Sequence, residues 1–345
     1  MRQIVLNKNI IFKKCTSSQN SKIEALRSVI REMRVPFGRG DTVGIKLHWV
    51  ERGNKNYLPP IYAKEIVAWL KSMGIKPFVF DTTVLYSGGR RDASQSIITA
   101  RQHKYSEEYL DCPVKIGDGT DGKEVVDLSA GYKHFTNVQV GAIIHQADGF
   151  VIFSHFKGHM ETGFGASIKN ISMGFASRAQ KQRMHADAKP SLKKKKCIMC
   201  GECVRVCPVS AASMPEDEYP IYDLGKCVGC AQCIAMCHEM ALKIIWDTDV
   251  EIFQEKLIET AAAVWRIIQK KSIVINALLN IVSDCDCLPG NHKVISPDKG
   301  FIGSYHPVSA DAAAVEIVGS GIIDKTHRDI PWPRQFSYAR EIGFE

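Results

Sequence analysis

Hydrophobic positions in the first 190 residues alternate between helical spacing and short continuous apolar runs. Ile23, Leu26, Ile30 and Met33 recur at helical spacing, and Ser21-Lys22-Ile23-Glu24 has the form of a capping box. The same patterns predict strands at 42–48, 77–81, 124–128 and 149–154, and helices at 60–72, 92–103 and 137–146. Strands separated by helices predict an α/β fold with a mostly parallel, doubly wound sheet. In such a sheet the functional loops follow the carboxyl ends of the strands.

The α/β pattern resumes after residue 247. A helix is predicted at 249–271, a strand at 272–279 and a helix at 309–318, closed by Gly319. Residues 324–345, which contain Pro331-Trp332-Pro333, are predicted to form an extended arm over the surface. We therefore predict one host domain made of residues 1–190 and 247–345, with residues 191–246 inserted into it.

Eight of the twelve cysteines lie in that insertion, in two runs of equal spacing. Each run has the pattern Cys-x2-Cys-x2-Cys-x3-Cys. This is the ligand spacing of a ferredoxin with two [4Fe-4S] clusters. The fourth cysteine of each run then serves the other cluster. Zinc sites and a disulfide framework are the alternatives, although zinc sites typically use paired Cys-x2-Cys units. The insertion is therefore predicted to be an α+β dicluster ferredoxin domain, with cluster one held by Cys197, Cys200, Cys203 and Cys237 and cluster two by Cys227, Cys230, Cys233 and Cys207.

Composition adds little to this picture. Hydrophobic residues make up 45% and charged residues 24% of the 345 positions, which is ordinary for a globular protein. The longest apolar run, 273–282, is too short to cross a bilayer and contains Asn276 and Asn280. The first eight residues lack the features of a secretory signal. Together with the free cysteines, these features predict a protein of a reducing, anaerobic cytoplasm with no membrane contact.

The net charge of +8 includes the block Lys193-Lys194-Lys195-Lys196, directly before the first cysteine run. Such a block can contact nucleic acid or anionic lipid, but a solvated linker into the cluster domain is the simpler interpretation. A mildly basic surface also suits an acidic, low-potential electron donor or acceptor protein. We predict such a protein partner and no nucleic acid. The sequence leaves the oligomeric state open.

A glycine-rich loop follows the predicted strand 149–154 and contains the candidate catalytic residues His155, Lys157, His159 and Lys169. His48 ends an earlier parallel strand and is predicted to reach the same rim. These groups suit a small anionic substrate with proton transfer beside it. A glycine-rich connection with solvated lysines is the alternative, and metal binding by the two loop histidines is left open. Further residues predicted around this crevice are Lys46, Asp81, Thr82, Thr83, Tyr86 and Arg90.

The sequence Ser283-Asp284-Cys285-Asp286-Cys287 contains a second cysteine feature. A Cys-x-Cys pair can hold a third metal or cluster, or it can act as a redox dithiol. Two reduced cysteines between solvated aspartates are the alternative. Cys15 and Cys112 show no partner pattern and are predicted to be ordinary buried thiols.

Several of these segments together resemble the DUF362 iron-sulfur proteins of anaerobic bacteria and archaea. The resemblance implies an iron-sulfur protein, although that family's chemistry is poorly defined. Two departures are Cys237-His238, where ferredoxins usually have Cys-Pro, and Gly165-Ala166, where the family often has two glycines. The resemblance rests on Lys46-Leu47-His48, Tyr57-Leu58-Pro59-Pro60, the loop from Asp81 to Arg90, Asp118-Gly119, Ser154 to Asn170, Met173-Gly174, the cysteine runs, Cys285-Asp286-Cys287 and His306-Pro307-Val308.

Two functions are predicted from different classes. One is a ferredoxin-dependent reductase that passes electrons through both clusters to a site in the host domain. The other is an electron-transfer or maturation protein that delivers a metal or cluster and has no small-molecule turnover of its own. A ligand-binding protein with structural or sensory clusters is a third interpretation. The chain has no GxGxxG after a strand and no Walker loop, so no nicotinamide or ATP site is predicted. Binding of a flavin is left open, although no motif supports it.

Overall fold

The computed structural model describes residues 10–86, 88–185, 189–227, 229–243 and 249–345. Its strands are β1 Ile11–Lys14, β2 Thr42–Lys46, β3 Lys76–Asp81, β4 Val114–Ile116, β5 Val125–Ser129, β6 Asn137–Gly141, β7 Gly149–His155, β8 Lys157–His159, β9 Gly163–Gly165, β10 Ala212–Ser213, β11 Ile221–Tyr222, β12 Ser272–Leu278, β13 Ile281–Val282, β14 Val294–Ser296 and β15 Gly300–Ser304. Its helices are α1 Gln19–Glu32, α2 Ile61–Ser72, α3 Ala93–Gln102, α4 Glu107–Leu110, α5 Ser167–Phe175, α6 Arg178–His185, α7 Glu202–Arg205, α8 Gln232–Met236, α9 Val250–Ile268, α10 Pro307–Val318, α11 Ser320–Thr326 and α12 Arg334–Glu341, with 3-10 turns at Ala142–His145, Lys194–Lys196 and Gln269–Lys271.

Seven strands form the central sheet, in the order β1-β15-β12-β7-β2-β3-β4. The five strands from β12 to β4 run parallel, and β15 is antiparallel to both of its neighbours. The chain is therefore a mixed α/β protein with a mostly parallel central sheet, as predicted. The parallel direction brings the carboxyl ends of β2, β3 and β7 to one edge of the sheet.

Alternating side chains of the inner strands supply two hydrophobic cores, one on each face of the sheet. Phe150 and Ile152 of β7 enter the core that packs α5 and α9, whereas Val151 and Phe153 enter the core that packs α1 and α2. Fully burying one such side chain stabilises the fold by about 1.5–3 kcal/mol. Within the described ranges, no helix combines the length and the apolar character needed to cross a membrane.

The segment 189–243 repeats its own backbone with an offset of thirty residues. Met199, Gly201 and Ser210 have positive φ angles, and so do Gly229, Ala231 and Met240, thirty positions later in each case. The pairing of Ala212 with Tyr222 is repeated by that of Leu242 with Leu192. The described residues of both cysteine runs therefore fold in the same way, and each run includes one short helix, α7 or α8.

Residues 137–146 correct a prediction, because they form β6 and a 3-10 turn in place of a helix. Val138 and Val140 are buried, which is the two-residue period of a strand, and β6 pairs antiparallel with β5. The start of α1 is also corrected. Ser18 is the N-cap and accepts a hydrogen bond from the Ser21 backbone N–H at 3.2 Å. The predicted capping box, which starts at Ser21, therefore lies inside the helix.

The C-terminal segment is helical and packed, so the prediction of an extended arm was wrong. The hydroxyl of Tyr338 in α12 donates to Glu259 of α9 at 2.6 Å, and Trp332 is only 9% exposed. Because prolines precede α12, the sequence did not reveal this short amphipathic helix. Two sequence features lie outside the described residues: the N-terminal segment used to predict the absence of a signal, and the domain boundary predicted at residue 246.

Candidate functional site

A cavity of about 900 Å³ opens where β2, β3 and β7 end. It collects predicted site residues that are far apart in the sequence, and both cysteines of the Cys-x-Cys pair line it. Thr83 is not among the lining residues, because its hydroxyl and backbone N–H are bonded to Asp118. The predicted residues in the wall are Lys46, His48, Asp81, Thr82, Tyr86, Arg90, His155, Lys157, His159, Lys169, Cys285 and Cys287.

Asp81 ends β3 and gathers three basic side chains. Its Oδ1 accepts from Lys46 Nζ at 2.9 Å, and its Oδ2 accepts from His48 Nδ1 at 2.9 Å and from Arg90 Nη1 at 3.1 Å. Burial alone would raise the pKa of Asp81, but Lys46, His48 and Arg90 together hold it well below its usual value. Asp81 is therefore a charged structural centre and not an acid of the pocket.

Lys46 reaches Asp81 because a neighbouring residue has no side chain. A Cβ on Gly174 would lie 2.2 Å from Lys46 Cε. The ammonium also donates to the Leu47 carbonyl at 2.7 Å and to Asn170 Oδ1 at 2.9 Å, which uses all three of its protons. Lys46 therefore positions its neighbours and has no proton left to offer a ligand.

The glycine-rich loop forms the β8–β9 hairpin, which leads into α5. His155 Nδ1 contacts Asp286 Oδ2 at 3.1 Å, and its Nε2 contacts the Leu279 carbonyl at 2.8 Å. Since both ring nitrogens face acceptors, His155 is held as a donor and is not free to ligate a metal. Lys157 Nζ lies 2.8 Å from the same Asp286 oxygen. The pKa of Asp286, which burial would raise, is lowered by Lys157 and His155.

His159 differs from His155 because its surroundings oppose a positive charge. Burial, and next the nearby Lys169 ammonium, lower its pKa well below the usual value. Its Nδ1 accepts from the Glu161 backbone N–H at 3.2 Å, which leaves the Nε2 proton as the donor. His159 therefore presents a neutral imidazole in the wall of the cavity.

The two cysteines of the Cys-x-Cys pair each have a basic neighbour. Cys285 Sγ lies 3.3 Å from Lys169 Nζ and accepts from the Cys287 backbone N–H at 3.4 Å. A hydrogen bond from Cys287 outweighs burial and, with Lys169, places the pKa of Cys285 well below its usual value. Cys287 Sγ lies 3.7 Å from His48 Nε2 and 3.8 Å from Arg90 Nη2.

Other lining residues were missed as site candidates. Glu51 accepts from the Gly89 N–H at 2.6 Å and lies 3.5 Å from Arg90 Nε. Its direction is set by the preceding Val50, which has a left-handed φ of 57° that is unusual for a β-branched residue. Lys181 of α6 donates to Thr82 Oγ1 at 2.8 Å, and burial lowers its pKa to about 8. No motif marks these two residues; only the fold brings them to the wall.

The two cysteine runs contain the eight thiols of the predicted ligand sets. All twelve cysteines lie in the described residues, and none is joined in a disulfide. The four thiols assigned to cluster two line one small cavity together, although Cys207 comes from the other run. The Ala211 N–H donates to Cys207 Sγ at 3.1 Å, and the Ala241 N–H donates to Cys237 Sγ at 3.2 Å. For cluster one, the Tyr222 hydroxyl donates to Cys203 Sγ at 3.2 Å.

The two runs supply eight thiols, the donor groups that iron-sulfur clusters use. In the described part of the chain, no three His, Cys, Asp or Glu side chains converge closely enough to hold one metal ion. A [4Fe-4S] cube makes a different demand. Its irons are each held by a separate thiolate, so the sulfurs surround the cube. The donor set and its arrangement therefore fit that group.

One arginine connects the cysteine segment to the cavity. Arg91 donates to the Cys237 carbonyl at 2.7 Å and to the Leu85 carbonyl at 3.1 Å. The preceding residue, Arg90, lies in the cavity wall against Tyr86, at 2.6 Å, and against Cys287. A ligand of the predicted cluster one is thus joined directly to the loop that carries Arg90.

Residues 43–316 match the family described as "Domain of unknown function (DUF362)". The chain belongs to the DUF362 family. This match confirms the family resemblance and extends over both the cavity and the cysteine runs. Among curated proteins, none matches this DUF362 member.

Two solved structures are similar to this DUF362 protein at low sequence identity. A protein from Thermotoga maritima is 9% identical, with a TM-score of 0.48 over 92% of this chain and 60% of the other. The lactate racemase apoprotein from Thermoanaerobacterium thermosaccharolyticum is 12% identical, with a TM-score of 0.43 over 89% of this chain and 56% of the other. The chain thus spans somewhat more than half the length of either protein.

Proposed function

We propose that this protein is an iron-sulfur oxidoreductase that reduces a small anionic substrate in the cavity at the carboxyl edge of its sheet. The observation that carries the proposal is the contact of Arg91 with Cys237, which joins the cysteine segment to a cavity lined by two further thiols. Two [4Fe-4S] clusters, held by the two crossed sets of four cysteines, would supply electrons one at a time.

The remaining roles are proposed for side chains of the cavity. Lys157 and Lys169 would orient an anionic group, since charge-assisted hydrogen bonds are strong in a site with little water. His159 stays neutral and would donate a hydrogen bond from its Nε2–H to the substrate. His155 would act through Asp286, by fixing the loop that carries both cysteines. His48 lies against Cys287 and would exchange a proton with that thiol.

Delivery of a metal or cluster is a second candidate function, favoured by one observation: both sulfurs of the Cys-x-Cys pair open on the cavity. A delivery protein would need these thiols as transfer ligands and would show no turnover of its own. Replacing Cys285 with Ser would then block activation of a client protein without any catalytic rate to lose.

The partner proposed for the cysteine segment is an acidic electron-transfer protein. Ile198, Met199, Val209, Met214, Ile221 and Leu224 are exposed apolar side chains of this segment. The exposed Lys193–Lys196 block lies beside them. Apolar contact within a basic rim suits a low-potential, acidic donor or acceptor. We propose a reducing, anaerobic cytoplasm as its setting, since such a compartment keeps thiols reduced.

Anaerobic purification followed by iron and sulfide analysis tests the cluster assignment. We expect about eight irons and eight sulfides per chain, and a reduced spectrum with two interacting centres. Stoichiometric zinc would contradict the proposal. Lys157→Met should then abolish reduction of the substrate and leave the cluster spectra unchanged. Lys325→Met, at an exposed lysine of α11, is the matched control and should retain activity.

A further inference from the structure

We propose that Cys285 and Cys287 form a dithiol-disulfide couple that stores two electrons in the cavity, and that its substrate is a small disulfide. The inference deepens the proposed function and rests on it for the source of electrons. The decisive juxtaposition is that of two thiols, one residue apart, which face the same cavity and have different partners.

The two sulfurs are arranged for different tasks. Cys285 is 5% exposed, and its sulfur faces Lys169 Nζ and the backbone N–H of Cys287. Both contacts stabilise a thiolate, which is the form of cysteine that attacks a disulfide. The backbone N–H of Cys287 lies 3.4 Å from the Cys285 sulfur, and both side chains line the same cavity, which places the second thiol next to a bond formed at the first.

Cys287 has the partners of an assisted nucleophile. His48 Nε2 lies 3.7 Å from its sulfur, and His48 Nδ1 lies 2.9 Å from Asp81 Oδ2. A carboxylate, an imidazole and a thiol in this order allow the ring to take the thiol proton while the carboxylate fixes the ring's orientation. The sulfur of Cys287 therefore lies beside a base, and the sulfur of Cys285 lies beside a cation.

The same contacts disfavour a metal at this pair. The ammonium of Lys169 and the guanidinium of Arg90 each lie beside one of the sulfurs and would repel a metal cation. Asp286 lies between the cysteines in sequence, but its Oδ2 is bonded to His155 and to Lys157. The described residues also provide no converging third ligand. Cationic neighbours therefore favour a thiolate that acts as a nucleophile over a thiolate that coordinates a metal.

The reaction balances as two exchanges. The Cys285 thiolate attacks one sulfur of a disulfide, the S–S bond breaks, and the first thiolate leaves with a proton from Lys169. Cys287, deprotonated by His48, then attacks Cys285 and releases the second thiolate, which takes the proton from His48. The substrate gains two electrons and two protons, and the pair becomes a disulfide. Two electrons, which originate from the low-potential donor protein, and two protons restore the dithiol.

The couple is testable on the full chain, purified without oxygen and with its clusters intact. The protein is equilibrated with mixtures of reduced and oxidised dithiothreitol, alkylated, digested and weighed by mass spectrometry. We expect the peptide that contains Cys285 and Cys287 to lose two hydrogens in a single two-electron transition. Cys15 and Cys112 should stay reduced throughout. Full alkylation of both cysteines at the most oxidising ratio would overturn the proposal, as would a zinc ion retained by both.

The order of attack is tested with single substitutions and an anionic aromatic disulfide, 5,5′-dithiobis(2-nitrobenzoate). Cys287→Ser should release one equivalent of thionitrobenzoate and keep the other half bound to Cys285. The unsubstituted protein should release two equivalents and retain none. Lys169→Met should slow the first release about tenfold, because it removes the cation that attracts the anionic disulfide to Cys285, whereas Lys325→Met should not. A stable adduct on Cys287 would contradict the assigned order.

This test and that of the proposed function fail separately. Iron and sulfide analysis reports only on the eight cysteines of the two runs, and dithiothreitol reduces the pair without them. Clusters without a Cys285–Cys287 disulfide would refute the dithiol and leave the oxidoreductase proposal in place. A reversible disulfide in a chain that binds no iron would refute the oxidoreductase proposal and leave the dithiol couple in place.

Discussion

The cysteine segment 189–243 and the cavity at the sheet edge are built in opposite ways. The segment places its thiols by short, repeated spacing, and its backbone repeats with them. The cavity takes side chains from residue 46 to residue 289 and holds several of them through buried ion pairs. A site whose residues are close together in the sequence can be identified from one sequence. A site assembled by a sheet can be identified only once the order of the strands is known.

The two regions also differ in what holds them together. The described cysteine segment has a small core, in which Ala231, Ile234, Ala235 and Leu242 pack with Ala179 of α6. Segments of this size rarely bury enough apolar surface to be stable without a metal or another cross-link. The cavity lies between two large cores and needs no such support, but each of its buried charges depends on its partners.

The largest expected effect comes from removing the central carboxylate of the cavity. Asp81→Asn leaves Lys46, His48 and Arg90 without their shared anion in a buried site, and breaking such a cluster costs about 3–5 kcal/mol. The free energy of unfolding in urea measures this loss. Since the folded pKa of Asp81 is depressed, its contribution is complete above its usual value of 3.8 and is lost as the pH falls below it.

The control is Asp111→Asn. Asp111 forms an ion pair with Lys71 at 2.7 Å on the surface, and it has a left-handed backbone that asparagine tolerates. We expect no measurable change in stability for this variant. An equal loss at both aspartates would contradict the distinction between buried and surface charges.

The limits of prediction follow the same division. Four of the five parallel strands and the helices α1, α2, α3, α9 and α10 could be predicted, because their apolar periodicity is local and their ends carry signals such as Asp92, the N-cap of α3. The segment 137–146 could not, since its strand is defined by pairing with β5. In the cavity, His155 and Lys157 follow a strand and were identifiable. Glu51 and Lys181 were not, because only tertiary packing brings them to the wall.

The second prediction concerns Lys181, which is buried without a carboxylate bonded to it. Its pKa falls from 10.5 to about 8 on folding. The unfolded chain therefore binds the proton more tightly, and stability rises with pH between about 8 and 10.5. Lys181→Met should remove this rise, which amounts to about 3 kcal/mol over that window. Urea unfolding of both proteins across the window measures the difference, and parallel curves would refute the assignment.

A third, smaller effect is expected from the basic block beside the cysteine runs. Replacing Lys193, Lys194, Lys195 and Lys196 with glutamine should lower the rate of reduction by an acidic flavodoxin about tenfold at low ionic strength. The difference should shrink in 0.5 M salt, where the Debye length falls to about 4 Å. Lys270→Gln with Lys293→Gln removes exposed charge elsewhere and should leave the rate nearly unchanged. A loss that is independent of salt would argue against electrostatic docking.

The smallest expected effect tests whether the two regions are coupled at all. Arg91→Gln removes the hydrogen bonds to the carbonyls of Cys237 and Leu85, each worth about 1 kcal/mol. Amide hydrogen exchange should then accelerate a few-fold both in α8 and in the loop after β3, because one guanidinium holds both. Arg52→Gln is the control: its side chain donates to Gln95 Oε1 at 2.9 Å on the same rim, so its effect should stay within the rim. If Arg91→Gln accelerates exchange in the loop alone, the cysteine segment is anchored independently of the cavity, and Arg91 does not join the two regions.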